Sequence, residues 1–510
     1  MKLVILDIVS KNYKDLDNNL STFDNAIVLS LSPSSCYYLD KNSIQYISFH
    51  GLISTKDFRD EFLSIFFDIL KNNEEIYQRG FLREVSQYIS QLLFVEKIIT
   101  YIKKHNYTST IYITDKKSNW DSSSISNENS ILSYFFEFSK VIKIKKDILK
   151  IKITLLDKLR QCSFIRIKDK IKDKIVKNNL KYDWDLIDPK VKKYDIEIDN
   201  RTFQFNISHQ KLKHTNMNEL NFNIKNETTQ YTNYLTFLEK DDYIKVIELI
   251  KKNKELFFYQ HGSYLYKNLF IRYSEIEVAN INFVFNDYTK KFFEEMGSKK
   301  VYSVGSILFN KKIKEKKKEF DFLYITQGHD YLGNIQYVDF PNSLHSFDGY
   351  ELYQRHKEVI ELFGQKLINK RIIIRVHPCI VSSGVYVPLW ELAEQYKNIT
   401  IDVKTSIHTI IEKSNYIISD YFTSEFINRD VHYKRDIILF DSAPTPIAET
   451  IYQDMQKMFL LVSDVCDLKT TVQNIEDVTN NRKRYDNIIE YYSSKKCDTK
   501  KLVTKILEQE

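Results

Sequence analysis

With 510 residues the chain is too long for one ordinary hydrophobic core, and we expect two or three domains. Its 43% hydrophobic and 28% charged residues are typical of a globular protein, and only 10 Gly and 7 Pro argue against collagen-like sequence and long disordered linkers. The formal net charge of +7 is a modest excess without a recognisable nucleic-acid-binding motif, so RNA or DNA binding is the least favoured function.

The cysteines and the apolar runs indicate in which cellular compartment the protein works. Five dispersed cysteines without a CxxC pair or zinc-type spacing indicate reduced thiols in the cytosol. The first residues, MKLVILDIV, are too short an apolar run for a signal peptide and predict a β-strand. No run approaches the ~20 apolar residues that span a bilayer. We expect a cytoplasmic protein whose contact with the inner membrane would be peripheral. Lys-rich runs such as 311–318 could meet anionic lipid, although most such runs are solvated faces.

The first half alternates strand-like and helix-like runs, which indicates βαβ units and a parallel sheet. Strands are predicted at 2–9, 25–32, 44–51 and 109–115, and a long helix from about 55 to 104. The run 141–159 is ambiguous between strand and helix.

Residues 160 to about 255 have the least regular pattern. Alternation in 194–208 predicts either an inserted hairpin or a surface excursion. The run 241–253 predicts a helix, with Asp241 and Asp242 placed against its N-terminal dipole.

The second half repeats the strand-then-helix pattern more cleanly. Strands are predicted at 255–262, 281–287, 320–326, 371–377, 399–403, 415–421 and 435–442. Helices are predicted at 289–297, where Gly297 forms a C-cap, and at 348–369, 481–494 and 499–508.

This alternation predicts an α/β fold with two Rossmann-like domains facing a central cleft. Residues 1–308 would form the N-terminal domain on the acceptor side, with an irregular insert at about 160–240. A charged linker at 309–321 would lead to a nucleotide-donor domain at 322–485, followed by terminal helices at 486–510.

Small or polar turns follow several of the predicted strands. They are YQHGSYLYK (259–267), SVGS (303–306), FLYITQG (322–328), IIIRVHP (372–378) and NYIISDYFTSEF (415–426). Because ligands of open α/β sheets bind at the carboxyl ends of strands, we expect these turns to converge on one phosphate-binding crevice. Gly305, Gln327 and Gly328 are candidate phosphate-binding residues on this ground.

Two histidines in these turns could take part in chemistry. His261 precedes Gly262 at a strand end, where a neutral imidazole could act as general base towards an acceptor hydroxyl. The alternative is a histidine that only hydrogen-bonds a neighbouring loop. Pro378 biases His377 towards extended geometry, and Arg375 lies on the same side of the strand, so the pair offers two donors to a phosphate. A structural role for His377 remains open.

Thr423 and Ser424 would cap a helix that follows the strand NYIIS, leaving backbone N–H groups free for an anion. An ordinary cap without a ligand is the alternative. The chain has no Walker A loop, no G-x-G-x-x-G after a strand and no G-x-S-x-G. No Asp-x-Asp stands at a strand end of the regular second half, so we expect no metal and no cofactor.

The order HG, VGS, R-V-H-P and I-S-D-Y-x-T-S over residues 255–445 resembles the CDP-glycerol glycerophosphotransferase family and related bacterial surface-polysaccharide transferases. Those enzymes have the GT-B architecture, and many use cytidine-nucleotide donors. The His-Pro motif with a later Ser/Thr pair is also similar to GT-B sialyltransferases and polysialyltransferases, which use CMP-activated ulosonic acids.

The resemblance implies roles for the same residues. His261 looks like the family's catalytic base, and Arg375, His377 and Pro378 stand where the family contacts donor phosphate. Thr423 and Ser424 stand near the family's serine pair. The sequence departs from the family at Phe422, which occupies the place of the first serine; Glu425, which follows the displaced pair, could contact the donor's ribose or sugar.

These observations predict a metal-independent GT-B-like glycosyltransferase of bacterial surface-glycan synthesis, such as capsule, lipopolysaccharide or teichoic-type polymers. Its partners would be a CMP-ulosonic acid or CDP-polyol donor and a glycan or lipid-linked acceptor. A UDP-sugar transferase or 2-epimerase is the nearest alternative, and a non-catalytic glycan-assembly or scaffold protein is an alternative of another class.

Overall fold

A computed structural model gives the structure of the chain. It describes residues 1–8, 13–54, 82–115, 140–143, 196–205, 222–231, 257–260, 279–306, 317–326, 349–376, 388–403, 405–420, 436–440, 449–481, 491–495 and 497–509, and isolated positions in 57–64 and at 276 and 488. The predicted helix 241–253 and most of the predicted linker 309–321 lie outside these residues.

The first unit is a five-stranded parallel sheet with its helices. Its strands are β1 (Lys2–Asp7), β2 (Ala26–Ser30), β3 (Ile47–Ser48), β4 (Ser109–Thr114) and β5 (Lys140–Lys143), in the spatial order β3-β2-β1-β4-β5. Its helices are α1 (Tyr13–Asp17), α2 (Pro33–Lys41) and α3 (Leu82–His105). On one face of the sheet Val4, Leu6 and Val28 pack in a buried apolar cluster that includes Tyr38 and Leu39 of α2.

One local prediction in this unit was wrong, and one helix was missed. The predicted strand 44–51 pairs only at Ile47–Ser48, because the chain then turns into a 3-10 helix, Phe49–Gly51, whose Gly51 N–H donates to Ser48 Oγ at 3.3 Å. Helix α2 was not predicted. The sequence nevertheless contains signals for its start. Ser32 caps the helix by accepting from Ser35 N at 3.2 Å, and Pro33 occupies its first turn.

The described part of the segment 194–208, residues 196–205, forms one strand of an antiparallel pair, as expected for the inserted hairpin that is one of its two predicted structures. Strands β6 (Ile196–Phe205) and β7 (Phe222–Tyr231) pair antiparallel over their whole length, from Ile196↔Tyr231 to Phe205↔Phe222. The ambiguous run 141–159 is a strand over the part that is described, at the end of β5.

A three-stranded parallel sheet follows, in the order β10-β9-β8. Its elements are β8 (Phe257–Tyr259), β9 (Ile281–Val284), α4 (Asp287–Glu295) and β10 (Val301–Ser303). Helix α4 begins two residues before its predicted start because Asn286 caps it, accepting from Thr289 N at 2.7 Å. Gly297 lies just past its end with φ +92°, a conformation that favours glycine at helix ends.

The second large unit is a six-stranded parallel sheet in the order β13-β12-β11-β14-β15-β16. Its strands are β11 (Phe320–Ile325), β12 (Ile372–Arg375), β13 (Ile399–Asp402), β14 (Ser414–Ser419), β15 (Ile437–Phe440) and β16 (Leu460–Val462). Its helices are α5 (Gly349–Lys366), α6 (Leu389–Glu394), α7 (Ile407–Lys413), α8 (Glu449–Met458), α9 (Val465–Gln473) and α10 (Ile475–Asn481). Counted within the unit, the strand order is 3-2-1-4-5-6, the doubly wound order of dinucleotide-binding sheets.

Helices cover both faces of this sheet. Successive residues of β11 alternate between two apolar clusters: Phe322 and Tyr324 join the cluster with α5 and α6, while Leu323 and Ile325 join the one with α7 and α8. Burial on both faces explains why β12 and β15 read as continuous apolar runs in the sequence.

The two large units touch through α2 and α5. Tyr37 and Cys36 of α2 belong to the buried cluster of the six-stranded sheet. Asp40 of α2 accepts from the Tyr353 hydroxyl at 2.8 Å and pairs with Lys357 Nζ at 3.1 Å, both on α5.

The end of the chain returns to the three-stranded sheet. Lys495 N donates to Phe285 O at 2.8 Å, and Ser306 N donates to Ser494 Oγ at 2.7 Å. Tyr492 also lies in an apolar cluster of the six-stranded sheet, so this segment contacts both sheets. A last helix, α11 (Thr499–Gln509), agrees with the predicted helix 499–508.

The α/β class with parallel sheets is thus confirmed, and the arrangement is consistent with two Rossmann-like domains. The domain boundaries remain predictions. Among the described residues, no helix has the length and apolar character needed to cross a membrane.

Candidate functional site

In each large sheet the strand order reverses at one point. For the six-stranded sheet this is between β11 and β14, whose carboxyl ends lie at Thr326 and Asp420; we call this the C-terminal switch point. The N-terminal switch point lies between β1 and β4, whose carboxyl ends lie at Asp7 and Asp115. Crevices of this kind are the usual ligand sites of open α/β sheets.

Main-chain hydrogen bonds hold the strand ends together at the C-terminal switch point. Thr326 N donates to Arg375 O at 3.1 Å, and Asp420 N donates to Ile325 O at 3.2 Å. Thr326, Ser419 and Asp420 are all buried. The ends of β11, β12 and β14 therefore meet at a buried, polar edge.

A buried carboxylate lies at the centre of this edge. Asp420 accepts a 2.5 Å hydrogen bond from the Tyr324 hydroxyl on β11 and a second one from His356 Nε2 on α5. The Tyr324 and His356 rings meet edge to face with centroids 5.8 Å apart. Asp420 and His356 are 1% and 0% exposed, so neither side chain can reach a ligand in solution without a change of structure.

The surroundings of Asp420 keep it ionised. Burial by itself would raise the pKa of the carboxyl group. His356, the positive charge of Arg355 and the Tyr324 hydroxyl outweigh burial and hold the pKa of Asp420 below its ordinary value. The Arg355 guanidinium also lies 4.8 Å from the centroid of the Phe440 ring, over the end of β15.

Arg375, predicted to contact donor phosphate, already has a partner inside the protein. Its Nη1 donates to Asp402 Oδ1 at 3.1 Å and to Asp402 O at 3.3 Å, across the ends of β12 and β13. Burial lowers the pKa of the guanidinium, and the Asp402 carboxylate acts in the opposite direction. A guanidinium has five N–H donors, so these bonds through Nη1 do not exhaust its capacity to bind an anion.

Asp402 also organises the turn before α7. Its carboxylate accepts from Thr405 N at 2.9 Å and from Thr405 Oγ1 at 2.7 Å. These bonds account for Thr405 by a structural role, without a ligand.

Gly305, another candidate, lies where the C-terminal segment crosses the three-stranded sheet. It has φ +74°, and a Cβ at this position would come within 2.4 Å of Lys495 O. Its carbonyl accepts from the Tyr259 hydroxyl at 3.0 Å. These packing contacts explain why a glycine stands at this position. Its role in phosphate binding stays a prediction.

The remaining candidates lie outside the described residues: His261, Gln327, Gly328, His377, Pro378, Thr423, Ser424 and Glu425. Their roles stay predictions. The structure does describe the residues immediately before four of these turns, which are Gln260, Thr326, Val376 and Asp420, and all four are buried.

Tyr324 and His356 were missed at the sequence level. A signal for His356 exists, because it lies on the same helical stripe as Leu352, Val359 and Phe363, all of which are buried. One ionisable residue in an apolar stripe predicts a buried polar partner, although the helix alone does not say which.

The N-terminal switch point is built differently. Tyr112 on β4 donates to Asp7 Oδ2 at 3.0 Å, and Asp7 is 2% exposed. The main chain just past β1 is already engaged, since Ser32 Oγ donates to Ile8 O at 2.5 Å and Ile8 N donates to Ser35 Oγ at 3.1 Å. The serine turn before α2 therefore occupies the Ile8 N–H, which a phosphate could otherwise contact.

No protein-family model matches the chain, and no curated protein sequence matches it. Solved structures that resemble it include the UDP-GlcNAc 2-epimerase of Neisseria meningitidis bound to UDP-GlcNAc, at 7% identity over 100% of both chains with a TM-score of 0.35. The UDP-GlcNAc 2-epimerase of Methanocaldococcus jannaschii in complex with UDP-GlcNAc and UDP is 10% identical over 100% of both chains, with a TM-score of 0.35.

A glycosyltransferase from Rickettsia africae is 11% identical over 100% of this chain and 98% of that one, with a TM-score of 0.31. Scores this low support no inference about activity. The description of the fold rests on the strand order itself.

Proposed function

We propose that the chain is a GT-B-like transferase that binds a nucleotide-activated sugar or polyol at the C-terminal switch point. One observation carries the proposal: the ends of β11, β12 and β14 meet at one edge of a sheet with nucleotide-binding strand order. In the sequence, the predicted turns ITQG, RVHP and SDYFTS come directly after these three strands.

The N-terminal switch point is the less suitable place for a phosphate. Ser32 and Ser35 already bond the main chain past β1, and Asp7 and Asp115 place carboxyl groups at the two strand ends. Asp420 and Asp402 also place carboxyl groups at the six-stranded sheet, but there the positive charges of Arg355 and Arg375 offset them.

The proposed reaction needs no metal. His261 would remove the proton from an acceptor hydroxyl, which attacks the activated carbon or phosphorus of the donor, and the nucleotide leaves with its phosphate. Arg375, His377 and the amides at Thr423 and Ser424 would stabilise the charge on the departing phosphate. Pro378 would hold His377 in place, and Gly305, Gln327, Gly328 and Glu425 would complete the donor site.

The finer identity of the substrates rests on the sequence resemblance. It favours a cytidine-type donor, either a CMP-ulosonic acid or a CDP-polyol, and a glycan or lipid-linked acceptor of a bacterial surface polymer. We place the reaction in the cytoplasm, with the enzyme peripheral to the inner membrane when its acceptor is lipid-linked.

A calorimetric titration with CMP, CDP, UDP and GDP tests nucleotide binding and its base preference. We expect selective binding of CMP or CDP by the wild type, weakened in Arg375→Ala and in His377→Ala. Arg371→Ala is the matched control, because it removes the same charge from the amino end of the same strand, where Arg371 is exposed. Preference for UDP would replace the cytidine donor with a UDP-sugar, and binding of none would contradict the proposal.

A product assay separates transfer from epimerisation. We expect product only when an acceptor is present, and in excess EDTA as well as without it. His261→Ala should abolish transfer while leaving nucleotide affinity nearly unchanged, and His105→Ala, an exposed histidine at the end of α3, should retain activity. Conversion of a free UDP-sugar without acceptor would instead identify a 2-epimerase.

A further inference from the structure

Helix α5 carries a buried histidine, His356, beside the C-terminal switch point. His356 lies among buried apolar residues of this helix, including Leu352, Val359 and Phe363. Its Nε2 bonds Asp420, which is 64 residues further along the chain at the end of β14. The same carboxylate accepts from Tyr324 on β11. One carboxylate therefore joins a helix and the two strands that flank the switch point.

Stability alone is a poor explanation for this arrangement. Taking a carboxylate and an imidazole out of water has a large desolvation cost, and apolar side chains of similar volume are often at least as stable in such places. What the bonds do provide is geometry: the Asp420 side chain is fixed from two directions, and its N–H is held on Ile325 O at 3.2 Å.

Fixed geometry matters where a ligand meets the backbone. Main-chain groups at strand ends can bind a phosphate without reorganisation only if the strands are held in the correct relative position. His356 itself is fully buried, so it cannot contact the ligand. Any effect of His356 on binding has to pass through Asp420.

We infer that His356 is a positioning residue, which through Asp420 and Tyr324 holds the ends of β11 and β14 in the arrangement that binds the nucleotide. The inference deepens the proposed function and rests on it for the identity of the ligand. Loss of His356 should therefore weaken nucleotide binding at temperatures where the protein is fully folded.

Asn398, which lies just before β13, offers a matched control at the other end of the same helix. Its Nδ2 donates to the carbonyls of Phe363, Leu367 and Lys370 at 3.1, 3.0 and 3.2 Å, which closes the other end of α5 at the amino edge of the sheet. Asn398→Ala should lower the melting temperature without disturbing the C-terminal switch point.

The test compares nucleotide affinity in His356→Leu, His356→Gln, Tyr324→Phe and Asn398→Ala, well below their melting temperatures. We expect His356→Leu to weaken binding about tenfold or more, because small displacements of binding groups have effects of this size. His356→Gln keeps an N–H donor and should recover part of the affinity, and Asn398→Ala should bind like the wild type. Where His356→Leu fails to fold, His356→Gln and Tyr324→Phe carry the comparison.

Equal affinity in His356→Leu and wild type would overturn the inference. So would a loss of affinity that follows the melting temperature across all four variants, because a purely structural role predicts that result.

Hydrogen exchange of the ligand-free proteins separates a failure of this inference from a failure of the proposed function. The amides of Thr326 and Asp420, which cross between strands, should exchange faster in His356→Leu than in Asn398→Ala. Unchanged exchange at both amides overturns the positioning role, whether or not the wild type binds a nucleotide. Faster exchange together with a wild type that binds none of the four nucleotides supports the positioning role and contradicts only the proposed function.

Discussion

Both large sheets place a tyrosine hydroxyl on a buried aspartate where the strand order reverses, but the two pairs are arranged in opposite ways. In the five-stranded sheet the aspartate, Asp7, ends the first strand and Tyr112 lies on the strand beyond the reversal. In the six-stranded sheet Tyr324 lies on the first strand and Asp420 follows the strand beyond the reversal. The six-stranded sheet adds His356 and Arg355 from the helix that follows β11.

The difference concerns what each carboxylate can do. At the N-terminal switch point the neighbouring main chain is closed by the serine turn, which favours a structural role for Asp7. At the C-terminal switch point a histidine and an arginine keep the carboxylate ionised and join it to a helix. Similar sequence patterns at two strand ends thus lead to one closed edge and one edge that we propose as a ligand site.

The largest expected difference between the two sheets is in how far the free energy of unfolding falls when the buried carboxylate is removed. Asp420→Ala leaves His356 buried without its acceptor, and we expect the free energy of unfolding to fall by about 3–5 kcal/mol. Asp7→Ala leaves a tyrosine hydroxyl without its acceptor, which should cost about 1–3 kcal/mol. Urea unfolding of both variants measures the two values, and equal costs would remove the distinction between the sheets.

A second expected difference is in the pH dependence of stability. Because the folded pKa of Asp420 lies below its ordinary value, the unfolded chain binds more protons there at acidic pH, and stability rises with pH. The contribution should be fully present above about pH 5, where an unfolded Asp is almost entirely ionised, and should be lost as the pH falls through the lower folded pKa.

Denaturant unfolding between pH 3 and pH 6 measures this contribution as the gap between wild type and Asp420→Asn. We expect the gap to narrow as the pH falls. A gap that stays constant over this range would show that Asp420 is not held ionised by its neighbours.

The smallest expected difference is between the two tyrosines. Tyr324→Phe removes a 2.5 Å bond to a carboxylate that also binds His356, and should cost about 1.5–3 kcal/mol. Tyr112→Phe removes a 3.0 Å bond, for which we expect about 1 kcal/mol. Unfolding of the matched pair by urea gives both values, and a greater loss for Tyr112→Phe would reverse the ranking of the two switch points.

Most of the sheet architecture could be predicted from the sequence because its strands are long apolar runs bounded by polar turns. Strand β12 and strand β15 are of this kind, and both were predicted. Strand β3 was predicted too long and strand β16 was missed, because each pairs over only two or three residues and pairing depends on neighbours far along the chain.

The candidate site could be predicted only in part. The strand ends were identified from the turns that follow them, and Arg375 does lie at such an end. The Arg375–Asp402 and His356–Asp420 bonds could not be predicted, since their residues are 27 and 64 positions apart in the sequence, respectively. Local patterns give the elements, whereas the electrostatics of the site come from tertiary contacts.

Hydrogen exchange with and without a saturating nucleotide tests the central claim most directly, using whichever of CMP, CDP, UDP or GDP binds most tightly. The account predicts slower exchange in peptides that cover 320–326 and 414–420, at the C-terminal switch point, and little change in those that cover 2–8 and 109–115. Protection confined to the second pair of peptides, or absent from both pairs, would contradict it.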